Sequence, residues 1–218
     1  MRYTYFFIAL FVASQPASAQ RNLKPYYFDL ADFQEARVYY MECEEDPALS
    51  TYLVIQAHGD QLSTRTYLKQ SMQEVERFVE VFNSEGSQME SLSLFFSEGQ
   101  DEIMEMRGKV DAGRHTVFPW IKSGSWGWAS IMDGSLELKM ERKQKGKSRQ
   151  EVLGKSKKCV RIEDYLYVQN EAQSHRFVYY AKEIGLCGID DFVDGQKKSY
   201  RLVEILDASA WKELVKRK

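Results

Sequence analysis

The chain has 218 residues, 44% hydrophobic and 13% aromatic, ample for one packed domain. Its 30 Lys and Arg against 32 Asp and Glu leave a formal charge of −2, which excludes a polyanion binder working through overall charge. Four prolines and no repeated motif argue against linkers and solenoids.

The N-terminus reads as an export address. Arg2 supplies the positive start, "YFFIALFVA" (Tyr5 to Ala13) the apolar run, and "ASA" (Ala17 to Ala19) the small-x-small cleavage form. The run is shorter than the ~20 residues of a membrane-spanning helix. Residues 1–19 are therefore predicted to be a signal peptide and 20–218 a single antiparallel β domain. The expected location is the periplasm, a cell surface or the outside. No cysteine follows the cleavage point to carry a lipid, and no later apolar run is long enough to span a membrane.

From about Ala36 the dominant signal is a period of two, the mark of strands with one buried face. "QLSTRTYLK" places Leu62, Thr64, Thr66 and Leu68 on one side. "SMQEVERFVEVF" fits a strand with Val75, Val79 and Val81 inward. It also fits a helix, with Ser71 and Glu74 as a capping box; branched and aromatic residues favour the strand. "QMESLSLFF" aligns Leu92, Leu94 and Phe96, and "EIMEMRGKV" aligns Met104, Met106 and Val110. "SLELKMER" aligns Leu136, Leu138 and Met140, and the charge-rich "ERKQKGKSRQ" that overlaps its end reads as an exposed hairpin tip. Turn signals separate these runs: "HGDQ", "NSEG", "SEGQ", Asp133-Gly134 and Asp194-Gly195. "DASAWKELVKRK" ends the chain as a short helix, with Asp207 as N-cap and Trp211, Leu214 and Val215 on one side. The fold class expected is all-β: a curved antiparallel meander sheet or half-barrel of roughly eight to eleven strands, with a short C-terminal helix.

"KCVRIEDYLYVQ" and "FVYYAKEIGLCGI" read as two arms of one hairpin. With Glu171 opposite His175, Val168 faces Val178, Leu166 faces Tyr180 and Asp164 faces Lys182. That register sets Cys159 opposite Cys187, within disulfide range. A two-residue slip keeps the faces and parts the sulfurs, so a disulfide and two buried thiols both stay open. Cys43 is left over as a core thiol. Gly185 and Gly188 suit a sharp bend in the second arm.

A signal peptide, a strand meander, a Trp-containing middle, a late "YYAKEIGL" (Tyr179 to Leu186) and a closing "YRLVEIL" (Tyr200 to Leu206) together resemble uncharacterised periplasmic half-barrel proteins. In architecture these are similar to lipoprotein carriers of the LolA/LolB type. The resemblance implies a curved sheet wrapped around an apolar cavity.

Chemistry is sparse. His58, His115 and His175 have no metal-ligand spacing, and "SGSWG" lacks the first glycine of a nucleophile elbow. "GKS" (Gly146 to Ser148) lacks the upstream glycine of a phosphate loop, and Asp190, Asp191 and Asp194 do not have EF-hand spacing. The unusual segment is "HTVFPWIKSGSWGWAS", where Phe118, Trp120, Trp126 and Trp128 flank a Gly/Ser break. These four are the candidate ligand-binding residues, against core packing as the ordinary use of such rings. The expectation is an exported, non-enzymatic protein without cofactor or metal, holding a lipid-like or hydrophobic ligand on the concave face. A packed envelope component that binds another protein is the alternative, and carbohydrate contact through Trp126 and Trp128 a weaker one.

Overall fold

Two-residue alternation builds a continuous wall. In a computed structural model, which describes residues 22–98, 102–121, 124–193 and 195–217, twelve strands follow one another antiparallel. They are β1 (Arg37–Cys43), β2 (Thr51–His58), β3 (Gln61–Leu68), β4 (Glu74–Phe82), β5 (Gly86–Glu98) and β6 (Glu102–Pro119). Then come β7 (Ser125–Met132), β8 (Leu136–Val152), β9 (Lys155–Val168), β10 (Glu171–Ala181), β11 (Gly185–Val193) and β12 (Gln196–Asp207). The expected signal peptide, Ser123 and Asp194 lie outside the described residues.

The sheet closes. β1 pairs with β12 from Arg37↔Asp207 to Cys43↔Tyr200, so the architecture is a full barrel and not the half-barrel or open curved sheet expected from the sequence. Closure gives both terminal strands a partner and removes every edge. The strand count also exceeds expectation, because "FVYYAKEIGLCGI" is two strands. Glu183 (φ +64°) and Gly185 (φ +82°) turn the chain back between β10 and β11. Gln169 (φ +52°) and Asn170 (φ +67°) form the β9–β10 turn, so Val168 pairs with Glu171 and Cys159 lies opposite Ala181, not Cys187.

The segment at 74–82 is a strand, but its faces are reversed from expectation. Glu76, Phe78 and Glu80 pair with the inward Thr66, Thr64 and Leu62, which sends the valines outward. The stretch read as an exposed tip, residues 141–150, is the body of β8. Arg142 and Gln144 are buried there, while Glu141, Lys143 and Lys145 are exposed. No helix among the described residues is long and apolar enough to cross a membrane.

Eight strands enclose about what side chains can fill, and twelve enclose more. The chain before β1 fills one end. Leu23, Tyr26, Tyr27, Phe28 and Phe33 are buried within the main core. Leu23 N–H donates to Trp120 O (2.7 Å), Glu183 N–H to Pro25 O (3.3 Å), and the Tyr27 ring stacks on Phe118 at 4.3 Å. Outside the barrel, α1 (Ala208–Lys216) is capped by the Asp207 carboxylate, which accepts from Ala210 N–H at 2.8 Å. Trp211 and Leu214 cover Tyr52 and Tyr67, while Val215 remains 44% exposed.

Gly185 is bound by both backbone and space: its φ is left-handed, and a Cβ there would meet Phe28 Cδ1 at 2.4 Å. Gly195 shares the left-handed φ (+74°) with open space around it. In urea unfolding, Gly195→Ala is expected to cost about 1–2 kcal/mol. Gly185→Ala should cost roughly 2–5 kcal/mol, because overpacking of the plug adds to the backbone strain. Equal losses would mean that the plug does not sit on Gly185.

Candidate functional site

β6 is longer than the strands it joins. Its pairing with β7 passes from Val110↔Ser130 to His115↔Trp128, and with β5 from Gly108↔Leu92 to Thr116↔Gln88. Asp111 to Arg114 therefore pair with neither neighbour and arch away as an extended bulge, a common device beside binding sites. Asp111 Oδ1 accepts from Gly113 N–H (2.8 Å) and shapes the arch. The arch leaves a recess of about 530 Å³ in the wall, within the usual size range of small-molecule sites.

Trp126, Trp128, Met140 and Pro119 supply its apolar lining, and Glu85, Gln88, Arg114, Thr116, Lys139 and Glu141 its polar one. Trp126 is fixed by donating Nε1–H to Val117 O at 3.0 Å. Gly127, between the two rings, must be glycine: a Cβ would meet Met140 O at 1.9 Å.

Behind the recess lies a charged layer. Arg142, Asp164, Arg176, Asp191 and Lys198 are cross-strand partners in turn from β8 to β12, on the inward face. The signs alternate along this row, which is the favourable arrangement for facing charges on a sheet. Its best-made pair is Arg142 with Asp164, 8% and 0% exposed. Arg142 donates Nε–H and Nη2–H to Asp164 Oδ2 (3.1 and 2.8 Å), and Nη1–H to Val117 O (2.8 Å). Burial alone would lower the Arg142 pKa, but the Asp164 carboxylate overrides it and keeps the guanidinium charged.

Further along, pairing is incomplete. Asp164 Oδ1, Arg176 Nε, Asp191 Oδ1 and both amide atoms of Gln144 are buried without a hydrogen-bond partner among the described residues. Burial raises the Asp191 and Glu76 pKa values, and the Arg176 charge opposes both rises. Since Glu76 is on β4, that influence crosses the barrel interior. Glu80, 3% exposed, accepts from the plug's Tyr27 hydroxyl (2.7 and 2.9 Å to its two oxygens). Desolvation pushes its pKa up to about 7 against the lowering effect of that hydrogen bond.

The four aromatic residues singled out from the sequence divide into two pairs. Trp126 and Trp128 line the recess. Phe118 and Trp120 pack against the plug, and Trp120 donates Nε1–H to Asn83 O (2.7 Å). The concave surface expected to hold a ligand is thus occupied at this end by the chain itself. Cys159 and Cys187 are free, buried thiols with sulfurs 3.5 Å apart, and Cys43 is buried elsewhere. His175 stacks between Tyr165 (4.6 Å) and Phe192 (5.6 Å) on the outer wall. Asp190 bonds outward to Arg201 (2.6 Å) and Tyr179 (2.9 Å), while Asp191 faces in, so the two do not share a ligand. Sequence reasoning missed Arg114, Glu141 and the Arg142–Asp164 pair. The available signal was Arg142 and Gln144 sharing the parity of Leu138 and Met140.

No family model and no curated protein matches the chain. It is similar to a crystal structure from Parabacteroides distasonis ATCC 8503, provisionally described as a lipoprotein. The TM-score is 0.43 and the identity 9%, over 79% of this chain and 95% of that one. A likeness this distant carries no inference about function.

Asp164→Ala leaves the Arg142 charge buried and unpaired, so it should cost about 3–5 kcal/mol in chemical unfolding. The double change Arg142→Met with Asp164→Leu should recover most of that loss; no recovery would show that the pair does more than balance charge.

Glu80 supplies a pH dependence of known sign. Its folded-state pKa is about 7 against 4.5 for the ordinary group, so between those values the unfolded chain ionises it and the barrel does not. Its contribution is full below about pH 4.5 and is lost as pH rises through about 7, by about 3 kcal/mol in all. Glu80→Gln should flatten that decline in urea titrations across pH 5–8, and an unchanged slope would contradict the assignment.

Proposed function

We propose that the chain is an exported, non-enzymatic binding protein that holds a small amphipathic molecule in the wall recess. The observation that carries this reading is the recess itself: about 530 Å³, opened by four unpaired residues of β6 over the Trp126 and Trp128 rings. A sheet does not need such an arch to close, and a gap in the wall leaves backbone groups without ladder partners. Rings below and ionic groups at the rim suit a ligand with one apolar face and one polar face. Export rests on the leader-like residues 1–19. The plug's occupation of the barrel interior favours a second reading, a packed envelope component that contacts another protein.

Native mass spectrometry of the purified chain, together with titration of 8-anilinonaphthalene-1-sulfonate followed by dye emission and tryptophan quenching, separates the two. The proposal expects a co-purifying mass or saturable dye binding. Arg114→Ala should weaken the dye about fivefold, roughly 1 kcal/mol, while leaving the melting temperature unchanged. Clean protein that binds no dye, or dye binding indifferent to Arg114, would favour the packed component.

A further inference from the structure

Cys159 and Cys187 are not neighbours in the sheet. Cys159 is on β9, Cys187 is on β11, and β10 runs between them. They meet because β11 is bulged. Tyr179 pairs with Gly188 and Tyr180 with Leu186, which leaves Cys187 as the extra residue with no partner on β10. A bulged residue is re-aimed relative to its strand. Here the thiol donates to Tyr179 O (3.2 Å) and its sulfur lies 3.5 Å from that of Cys159. Both side chains are fully buried. Cys43 belongs to another neighbourhood, with its sulfur 3.9 Å from Glu45 Oε2.

We infer that Cys159 and Cys187 are a modification site: a dithiol that closes to a disulfide and staples β9 to β11 over the top of β10. The reaction is thiol–disulfide exchange with a small-molecule or protein disulfide. One thiolate attacks a donor sulfur, its partner in that donor leaves as a thiolate, and a mixed disulfide forms. The second cysteine then displaces the remaining donor sulfur. The two cysteines together lose two protons and two electrons, and the donor is reduced to two thiols. An exported chain meets such donors. Because both side chains are fully buried in the folded barrel, the exchange belongs to folding, before the wall packs around them. The bond closes the loop from Cys159 to Cys187 and pins the start of β11, where Gly185 seats the plug. The staple is independent of whether the recess takes a ligand.

The test uses the full purified chain refolded in mixed oxidised and reduced glutathione, then unfolded in guanidinium with N-ethylmaleimide and digested without reductant. Peptide mass spectrometry should find one alkylated cysteine, Cys43, and one cross-linked peptide joining Cys159 to Cys187. Cys43→Ser should leave that cross-link intact. Reduction should lower the melting temperature by about 10 °C, the shift expected for closing a loop of this length in a domain of this size. Three alkylated cysteines, or a cross-link involving Cys43, would overturn the pairing. A cross-link whose reduction leaves the melting temperature unchanged would overturn the staple.

Discussion

Everything in this barrel depends on the seam between β1 and β12. The two strands come from opposite ends of the domain, yet they pair along the whole of β1, with one irregularity at Tyr40/Met41. Without the seam, Arg37–Cys43 and Gln196–Asp207 would each present an unpaired edge, and the sheet would have no interior. With it, the wall encloses more space than its own side chains fill. The residues before β1 take up that surplus. Tyr27 is the centre of the arrangement: its ring meets Phe118, Tyr180 and Trp120, and its hydroxyl reaches Glu80. The seam is therefore prior to the plug, because the plug's seat exists only inside a closed wall.

The interior is not uniformly apolar, and the difference has a direction. At the plugged end, rings from the N-terminal segment meet rings from the wall. Across β8 to β12 runs a row of alternating charges, well paired at Arg142–Asp164 and with Arg176 Nε and Asp191 Oδ1 left without hydrogen-bond partners among the described residues beyond it. Buried ionic groups are costly unless paired, so those atoms of the row are where the interior is least satisfied. The recess adjoins this row through Met140, which lines it and also meets Arg176 Nη2 at its sulfur (3.7 Å). Trp126 and Arg142, cross-strand partners, donate to one carbonyl, that of Val117. Wall opening and charged layer are thus tied through a few shared residues.

How much of this was legible follows from what each signal carries. Alternation in "SLELKMER" fixed the buried face of β8 through Leu138 and Met140, and Asp133-Gly134 marked the turn before it, since glycine readily takes the positive φ (+76°) found at Gly134. The same period was illegible in β4. Alternation says that two faces differ but not which one is inside, and there carboxylates turn inward while valines turn out. The run 141–150 looked exposed for the same reason, since charge hid two buried positions. The β9–β10 register failed because Gln169 and Asn170 make a tighter turn than the one assumed. Closure left no local trace, because it joins residues more than 150 positions apart. Trp126 and Trp128 were noticeable by residue type, but the arch that exposes a recess beside them is a pairing defect visible only in three dimensions.

The seam can be examined directly by nuclear magnetic resonance on isotopically labelled chain, reading cross-strand Hα and amide contacts together with amide exchange. A closed wall predicts contacts between Val38 and Leu206, Tyr39 and Ile205, and Met41 and Leu202, with protection of β1 and β12 matching that of β8 and β9. Absent cross-strand contacts and rapid exchange along one face of both strands would mean an open sheet, and would contradict the account at its root.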